Sequence, residues 1–193
     1  AGRCGVLRGR GVGIVTNSGG VGEIAADTAH RYGLMLPALD DVAVVAMVST
    51  IPPVATAQNP LDLTGTVTPE QCEGAVRTMA SVAACAAILC PWYEIPNEPQ
   101  HISERLTALH SHLARGLREA GMPGFLVSYT PAVVNDMARQ TIAEIGANYL
   151  ACGLDRALAG LAAAARWSQR YLEGSDDSAA SPPRSAQMPS FGK

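Results

Sequence analysis

The feature that most constrains this chain is the alternation of short, wholly apolar runs with helical stretches, joined by turns rich in glycine and proline. Val12-Gly-Ile-Val-Thr16 carries no charge, and Asn17-Ser-Gly-Gly-Val-Gly22 breaks it before a helical stretch to about Tyr32, where Gly33 is placed to end the helix. A run that is apolar on both faces reads as a strand covered on both sides. Strands that alternate with helices form parallel sheets, because right-handed crossovers lay helices on each face. The pattern predicts an α/β fold, a flavodoxin-like three-layer doubly wound parallel sheet.

The rest of the chain repeats the alternation. A second helix is expected from Asp40 to about Thr50, stopping at Ile51-Pro52-Pro53, and Asn59-Pro-Leu-Asp-Leu-Thr-Gly65 reads as a strand end and loop. Thr68-Pro69-Glu70 supplies an N-cap, a first-turn proline and an early acid, so a helix should run to about Ser81. Ala84 to Cys90 reads as a buried strand and residues 91–99 as a proline-broken loop. A helix from Ile102 to Ala120, a strand from Gly124 to Tyr129 and a helix opened by Pro131 and ending near Gly146 follow. A short strand from Asn148 to Ala151 and a last helix from Leu154 to about Tyr171 complete the series. Residues 1–10 are expected to be an N-terminal linker, 11–172 the domain, and 173–193, rich in Ser, Asp, Pro and Ala, a disordered tail. Because the sequence opens on Ala1 instead of Met, we expect a processed chain or a piece of something longer.

Composition excludes several classes. With 193 residues, 48% of them hydrophobic and 16% charged, the chain can bury a core and is not disordered throughout. Its formal net charge of −3 offers no basic patch to a phosphate backbone, so no nucleic-acid partner is expected. Lys193 is the only lysine. A P-loop, a pyridoxal enzyme or a kinase would need one inside the domain. Five cysteines without a C-x-x-C pair fit a reducing compartment, and no apolar run approaches the roughly 18 residues of a membrane span. The expected setting is soluble and cytoplasmic, with no membrane partner.

The glycine turn is the strongest local motif. At the carboxyl end of the first strand, the amides of Ser18 to Gly22 can point outward, and the helix N-terminus adds partial positive charge that suits phosphate. The same spacing serves a plain tight connection between strand and helix equally well. A dinucleotide fingerprint does not fit, because Gly11 and Gly13 precede or begin the strand. Nor does a nucleophile elbow, because Thr16 stands where the first glycine belongs. His30, His101, His110 and His112 lack metal-ligand spacing and read as solvated helix residues, so no metal site is expected. Glu94 and Glu98, in the loop after the third strand, form only a weak paired-carboxylate signal.

Taken together, the Val12–Gly22 segment, Pro52-Pro53 and the Asn59–Gly65 segment resemble the ligase domain of NDP-forming acyl-CoA synthetases, the superfamily of ADP-forming acetyl-CoA synthetase and succinyl-CoA synthetase. The resemblance covers about residues 7–170. It implies an acid–thiol ligase that interconverts acyl-CoA, ADP and phosphate with acid, CoA and ATP, through an acyl phosphate and a phosphohistidine. Two flavodoxin-like domains face each other in that family, and helix N-termini of both cradle the phosphohistidine. By the resemblance, Asn17, Ser18, Gly19, Gly20 and Gly22 would hold the phosphate, with Asn59, Asp62 and Thr64 ordering the neighbouring loop. The Trp92–Asn97 loop is also adjacent. None of the four histidines lies in the glycine- or serine-rich setting of the phosphorylated one, so this chain resembles the non-phosphorylated partner and contributes no catalytic residue. Loop 91–99 lacks the glycines that succinyl-CoA synthetase places there. No cofactor is expected on this chain alone. CoA, ATP or ADP and Mg are implied for the complete enzyme, together with CoA-binding, phosphohistidine and ATP-grasp domains or subunits that a chain with one lysine does not contain. A second expectation is a non-catalytic regulatory or interaction module of the same fold, docking onto an acyltransferase or ligase chain.

Overall fold

The computed structural model describes residues 5–82, 84–101 and 103–178. In chain order the elements are β1 (Val12–Thr16), α1 (Gly19–Arg31), α2 (Asp41–Val48), β2 (Leu61–Asp62), α3 (Pro69–Ala80), β3 (Ala87–Trp92), a 3-10 turn (Pro99–His101), α4 (Glu104–Glu119), β4 (Gly124–Ser128), α5 (Asp136–Ile145), β5 (Tyr149–Leu150) and α6 (Leu154–Ser178). The sheet order is β2-β1-β3-β4-β5, and every pairing is parallel. Val15 lies opposite Leu61, Val12 opposite Ala87, Leu89 opposite Phe125 and Leu126 opposite Tyr149. This is the flavodoxin-like doubly wound sheet that the alternation of elements predicts.

Strand side chains alternate between two cores, as the period of two requires. Val12, Ile14, Ala87, Leu89, Phe125 and Val127 pack under α1 and α6, whereas Val15, Ile88, Cys90, Trp92 and Leu126 pack under α2 to α5. Apolar layers on both faces explain why the strands carry almost no polar residues.

Helix starts follow their caps. Thr68 and Gln71 form a reciprocal capping box ahead of Pro69, and Asp40 accepts from the Ala43 amide at 2.8 Å, so α2 begins one residue after Asp40. Gly33, at φ 74°, closes α1, with the Leu34 amide donating to the Ala29 carbonyl at 2.9 Å.

Several boundaries differ from the sequence expectation. Pro131 does not open a helix: it bridges Cys152, and α5 starts at Asp136 because Asn135 caps it through the Ala138 amide. β3 begins at Ala87 and runs through Pro91 to Trp92, so the first part of the expected loop is strand. Pairing with β1 ends at Leu89, so Pro91 sits where one flank of β3 is already outside the ladder. α6 continues to Ser178, beyond the expected end near Tyr171. Residues 7–10 are fastened to that helix: Leu7 is buried, its amide donates to Ser168 Oγ at 2.9 Å, and Arg10 donates to Gln169 at 3.0 Å. Cys4, the expected helix start at Ile102, and the tail from residue 179 lie outside the described residues.

Candidate phosphate-binding site at the switch point

In the order 2-1-3-4-5 the winding reverses between β1 and β3, and the crevice beyond their carboxyl ends is where doubly wound sheets hold ligands. Three segments converge there: the Asn17–Ser18 turn after β1, the loop that starts at Tyr93 after β3, and Tyr129, immediately after β4.

Ser18 is the N-cap of α1, with extended φ −147° and ψ 120°, but its side chain makes no capping bond, and the first turn holds no acid. By contrast, Asp40, Thr68, Ser103 and Asn135 all cap their helices through side-chain oxygens. The first amides of α1, at Gly19, Gly20 and Val21, therefore lack both an intrahelical acceptor and a cap. The Gly22 amide is different: it donates to the Ser18 carbonyl at 3.0 Å, and a Cβ there would sit 3.5 Å from Pro60 and 3.7 Å from Thr16. Gly22 thus faces neighbouring protein, not the crevice. At Gly20 a Cβ would meet nothing within 4 Å.

Asn17 is 9% exposed, and its Oδ1 accepts from the Tyr129 hydroxyl. The Tyr129 ring meets Tyr93 edge-on, with centroids 5.9 Å apart at 62°. Burial pushes the Tyr129 phenol up to about 12. Thr130 Oγ1 donates to Glu94 Oε1 at 2.9 Å, and Asn135 Nδ2 donates to the Asn97 carbonyl at 2.6 Å, so the loop after β3 is tied to the segment after β4. Glu98 engages Gln100 and His101 instead. The two glutamates therefore do not converge on a common partner.

On the other flank of the turn, a recess of about 300 Å³ is lined by Gly19, Glu23, Val54, Gln58, Asp62 and Thr64. Asp62 Oδ1 accepts from the Thr64 amide at 2.8 Å and holds Thr64 in the left-handed region, at φ 62°. A Cβ at Gly19 would lie 3.2 Å from the other oxygen of Asp62. Arg105 fastens the same loop from α4, donating to the carbonyls of Gly65 and Val67, each at 3.0 Å. Asn59 lies at the opposite end of β2 and binds the backbone of β1, accepting from the Ile14 amide and donating to the Val12 and Pro37 carbonyls. It is a strand clamp away from the crevice.

Tyr129 and Arg105 were not among the sequence candidates, and Tyr93 entered only as part of the Trp92–Asn97 loop. Position could have pointed to Tyr129, a polar residue closing an apolar strand run beside the switch point. Arg105 gives no local signal.

The histidine reading needs correction at His110 and in part at His112, whose half-buried side chain lies 3.0 Å from the Glu73 carboxylate. His110 is 1% exposed, its Nε2 lies 3.1 Å from the Tyr93 carbonyl oxygen, and burial pulls its imidazole down to about 4. It faces the core because it follows Leu109 on the buried side of α4, next to Leu113 and Ala114. Among the described residues, no group of three or more His, Cys, Asp and Glu side chains could hold a metal ion. Cys72, Cys85, Cys90 and Cys152 are free thiols, and burial pushes Cys72 to about 12 and Cys85 to about 11, which makes poor nucleophiles. Among the described residues, no helix is long and apolar enough to cross a membrane.

A doubly wound sheet with an uncapped, glycine-lined helix terminus at its switch point defines the class: a flavodoxin-like domain with a candidate anion site. Residues 12–172 match the Ligase-CoA domain family, and the chain belongs to that family. It is 39% identical over 59 residues to the ADP-forming acetate–CoA ligase of Methanocaldococcus jannaschii, covering 31% of this chain and 8% of that protein. It is also 39% identical over 71 residues to the alpha subunit of ADP-forming acetate–CoA ligase I of Pyrococcus furiosus, covering 36% and 15%. Two solved structures share the fold. PH0766 from Pyrococcus horikoshii OT3 superposes with a TM-score of 0.67 at 22% identity, over 85% of this chain and 37% of that one. The apo form of the dinucleotide forming acetyl-coenzyme A synthetase 1 of Ca. Korarchaeum cryptofilum gives 0.66 at 16% identity, over 90% and 37%. The chain thus spans a minor part of each of these relatives.

Proposed function

We propose that this chain is the non-phosphorylated flavodoxin-like part of an ADP-forming acyl-CoA synthetase, and that the first turn of α1 cradles a phosphohistidine carried by another domain. The observation that carries the reading is the uncapped start of α1 at the switch point. Amides without protein acceptors, at the positive end of a helix dipole, hold an anion in place without reorganising when it arrives.

In this reading Gly19 and Gly20 supply backbone N–H donors, while Ser18 and Asn17 add short side-chain donors. Gly22 lets α1 lie close to Pro60, and Asp62 with Thr64 orders the adjoining loop. The chain performs no covalent step. It shields and neutralises a phosphoryl group that passes between an acyl phosphate, an imidazole and a nucleoside diphosphate on other domains. The CoA-binding, phosphohistidine and ATP-grasp parts, together with CoA, ATP or ADP and Mg, belong to the assembled enzyme. The names of the two curated relatives support this assignment, one being an ADP-forming acetate–CoA ligase and the other the alpha subunit of one.

The test is reconstitution with candidate CoA-binding, phosphohistidine and ATP-grasp parts from the same source, assayed for acid- and CoA-dependent nucleotide turnover. Gly20→Leu places its side chain in open space, so it fills the cradle without a clash inside the domain. Turnover should require this chain and fall by about a hundredfold or more with the substitution, the scale of losing a preorganised donor. Tight association with turnover indifferent to residue 20 would identify a regulatory module instead.

A further inference from the structure

We propose that Tyr129 is a positioning residue of this site: by donating to Asn17 Oδ1, it turns the Asn17 carboxamide so that its NH2 end is offered to an anion at the first turn of α1. The inference rests on the phosphate-cradle reading.

A carboxamide has an accepting end and a donating end of nearly the same shape, and only the donating end attracts an anion. Nothing in the local sequence decides which end Asn17 presents. The deciding partner comes from 112 residues away, where Tyr129 follows the last residue of β4 and occupies Oδ1. Asn17 is more than nine-tenths buried, so the amide is held by protein contacts instead of turning in water. Its Nδ2 has no acceptor among the described residues, a state that favours binding an acceptor from outside.

Two further observations fix the direction. The edge-on Tyr93 ring supports the Tyr129 ring, and the phenol stays protonated over any working pH, so the hydroxyl remains a donor. On the opposite flank, Asp62 and Glu23 line the recess beside Gly19 and repel an anion from that side. An anion at the α1 terminus is therefore driven toward Asn17.

The test uses the full chain, 15N-labelled, titrated with inorganic phosphate, with Tyr129→Phe and Asn17→Asp as variants. In the unmodified chain the Gly19 and Gly20 backbone signals and the Asn17 side-chain NH2 signals should move together with one apparent Kd. Tyr129→Phe keeps the ring against Tyr93. Its Gly19 and Gly20 signals should still move, with a Kd about two- to tenfold weaker, the scale of one hydrogen bond, while the Asn17 NH2 signals no longer follow. Asn17→Asp keeps an oxygen for Tyr129 but replaces the donor with a charge, and should abolish the shifts. It also carries the test if Tyr129→Phe does not fold. The proposal is overturned if the Asn17 NH2 signals stay still while the glycines respond, or if either variant binds phosphate as the unmodified chain does. Silence of Gly19 and Gly20 in the unmodified chain would overturn the cradle reading itself, and the proposal with it.

Discussion

The side chain of Asn59 is hydrogen-bonded to the backbone of Ile14, its Oδ1 accepting that amide at 3.0 Å. Its Nδ2 donates to the Val12 carbonyl at 2.9 Å and to the Pro37 carbonyl at 3.1 Å, so one carboxamide serves as strand partner to β1 where β2 does not reach. β2 pairs only with Val15 and Thr16, and the Met35 carbonyl takes the Val12 amide at 2.8 Å, which leaves the Val12 carbonyl and the Ile14 amide to Asn59. A central strand cannot leave those groups unpaired. Asn59→Ala should therefore cost about 2–4 kcal/mol, because it orphans several buried backbone groups at once. Asn59→Asp should be no better, since it sets a carboxylate against two carbonyl oxygens. Urea unfolding of the two variants, followed by far-ultraviolet circular dichroism, measures both, and a loss under about 0.5 kcal/mol would deny the clamp its role.

Glycines of the first strand and of the turn should separate by their surroundings. A Cβ at Gly11 would sit 1.8 Å from the backbone oxygen of Ala84, and one at Gly13 would sit 2.4 Å from Met79 Cγ. Gly11→Ala should destabilise the fold by about 3 kcal/mol or more, because backbone cannot move aside as a side chain can. Gly13→Ala should cost less, because the atoms it meets, Met79 Cγ and Ile88 Cδ1 at 2.7 Å, belong to side chains. Gly20→Ala meets open space inside a helix and should be neutral or stabilising by up to about 1 kcal/mol. Denaturant midpoints of the three variants give the order directly.

The contrast shows which parts of the molecule could be read from sequence. Doubly wound topology was legible because β1, β3 and β4 are apolar on both faces and because Asp40 and Thr68 announce the starts of α2 and α3. The turn after β1 was legible because glycine clusters there. Pro131 misled, because a proline that suits a first helical turn serves equally in an extended bridge, and the cap at Asn135 decides between them. His110 misled because burial on α4 depends on what the helix packs against. The partners of Tyr129 and Arg105 were out of reach for a further reason: Asn17 and the Gly65–Val67 carbonyls are remote from them in sequence and meet them only after folding.

Helix α2 is apolar nearly all round, yet only Ala43 and Met47 are buried, while Val42 and Val45 are 79% and 73% exposed. Burial, not hydrophobicity, sets the cost of truncation. Met47→Ala should lose about 2–5 kcal/mol from the cluster it shares with Val15, Leu61 and Trp92. Val42→Ser and Val45→Ser should each change stability by no more than about 0.5 kcal/mol. Comparable losses at the valines and at Met47, measured by chemical unfolding, would show that the exposed face is covered in solution.

Acid should weaken the fold first through His110. Burial holds its folded-state imidazole at about 4, with the Tyr93 carbonyl only partly opposing, whereas an unfolded histidine titrates near 6.5. Above about pH 6.5 neither state binds the proton, and the contribution of the neutral ring is complete. As pH falls from there towards 4, the unfolded chain takes up a proton that the folded chain refuses, so stability drops by about 2 kcal/mol at pH 5 and about 3 kcal/mol near pH 4. His110→Gln keeps a donor for the Tyr93 carbonyl without a titrating group. It should flatten the slope of unfolding free energy between pH 7 and 5 while leaving the fold intact. Glu73 acts lower in the range: burial raises its carboxyl, but Arg115, Arg77 and His112 together hold it below its ordinary value, so its contribution is present above the usual carboxylate range and lost only under stronger acid. A slope between pH 7 and 5 that survives in His110→Gln would assign the acid sensitivity elsewhere.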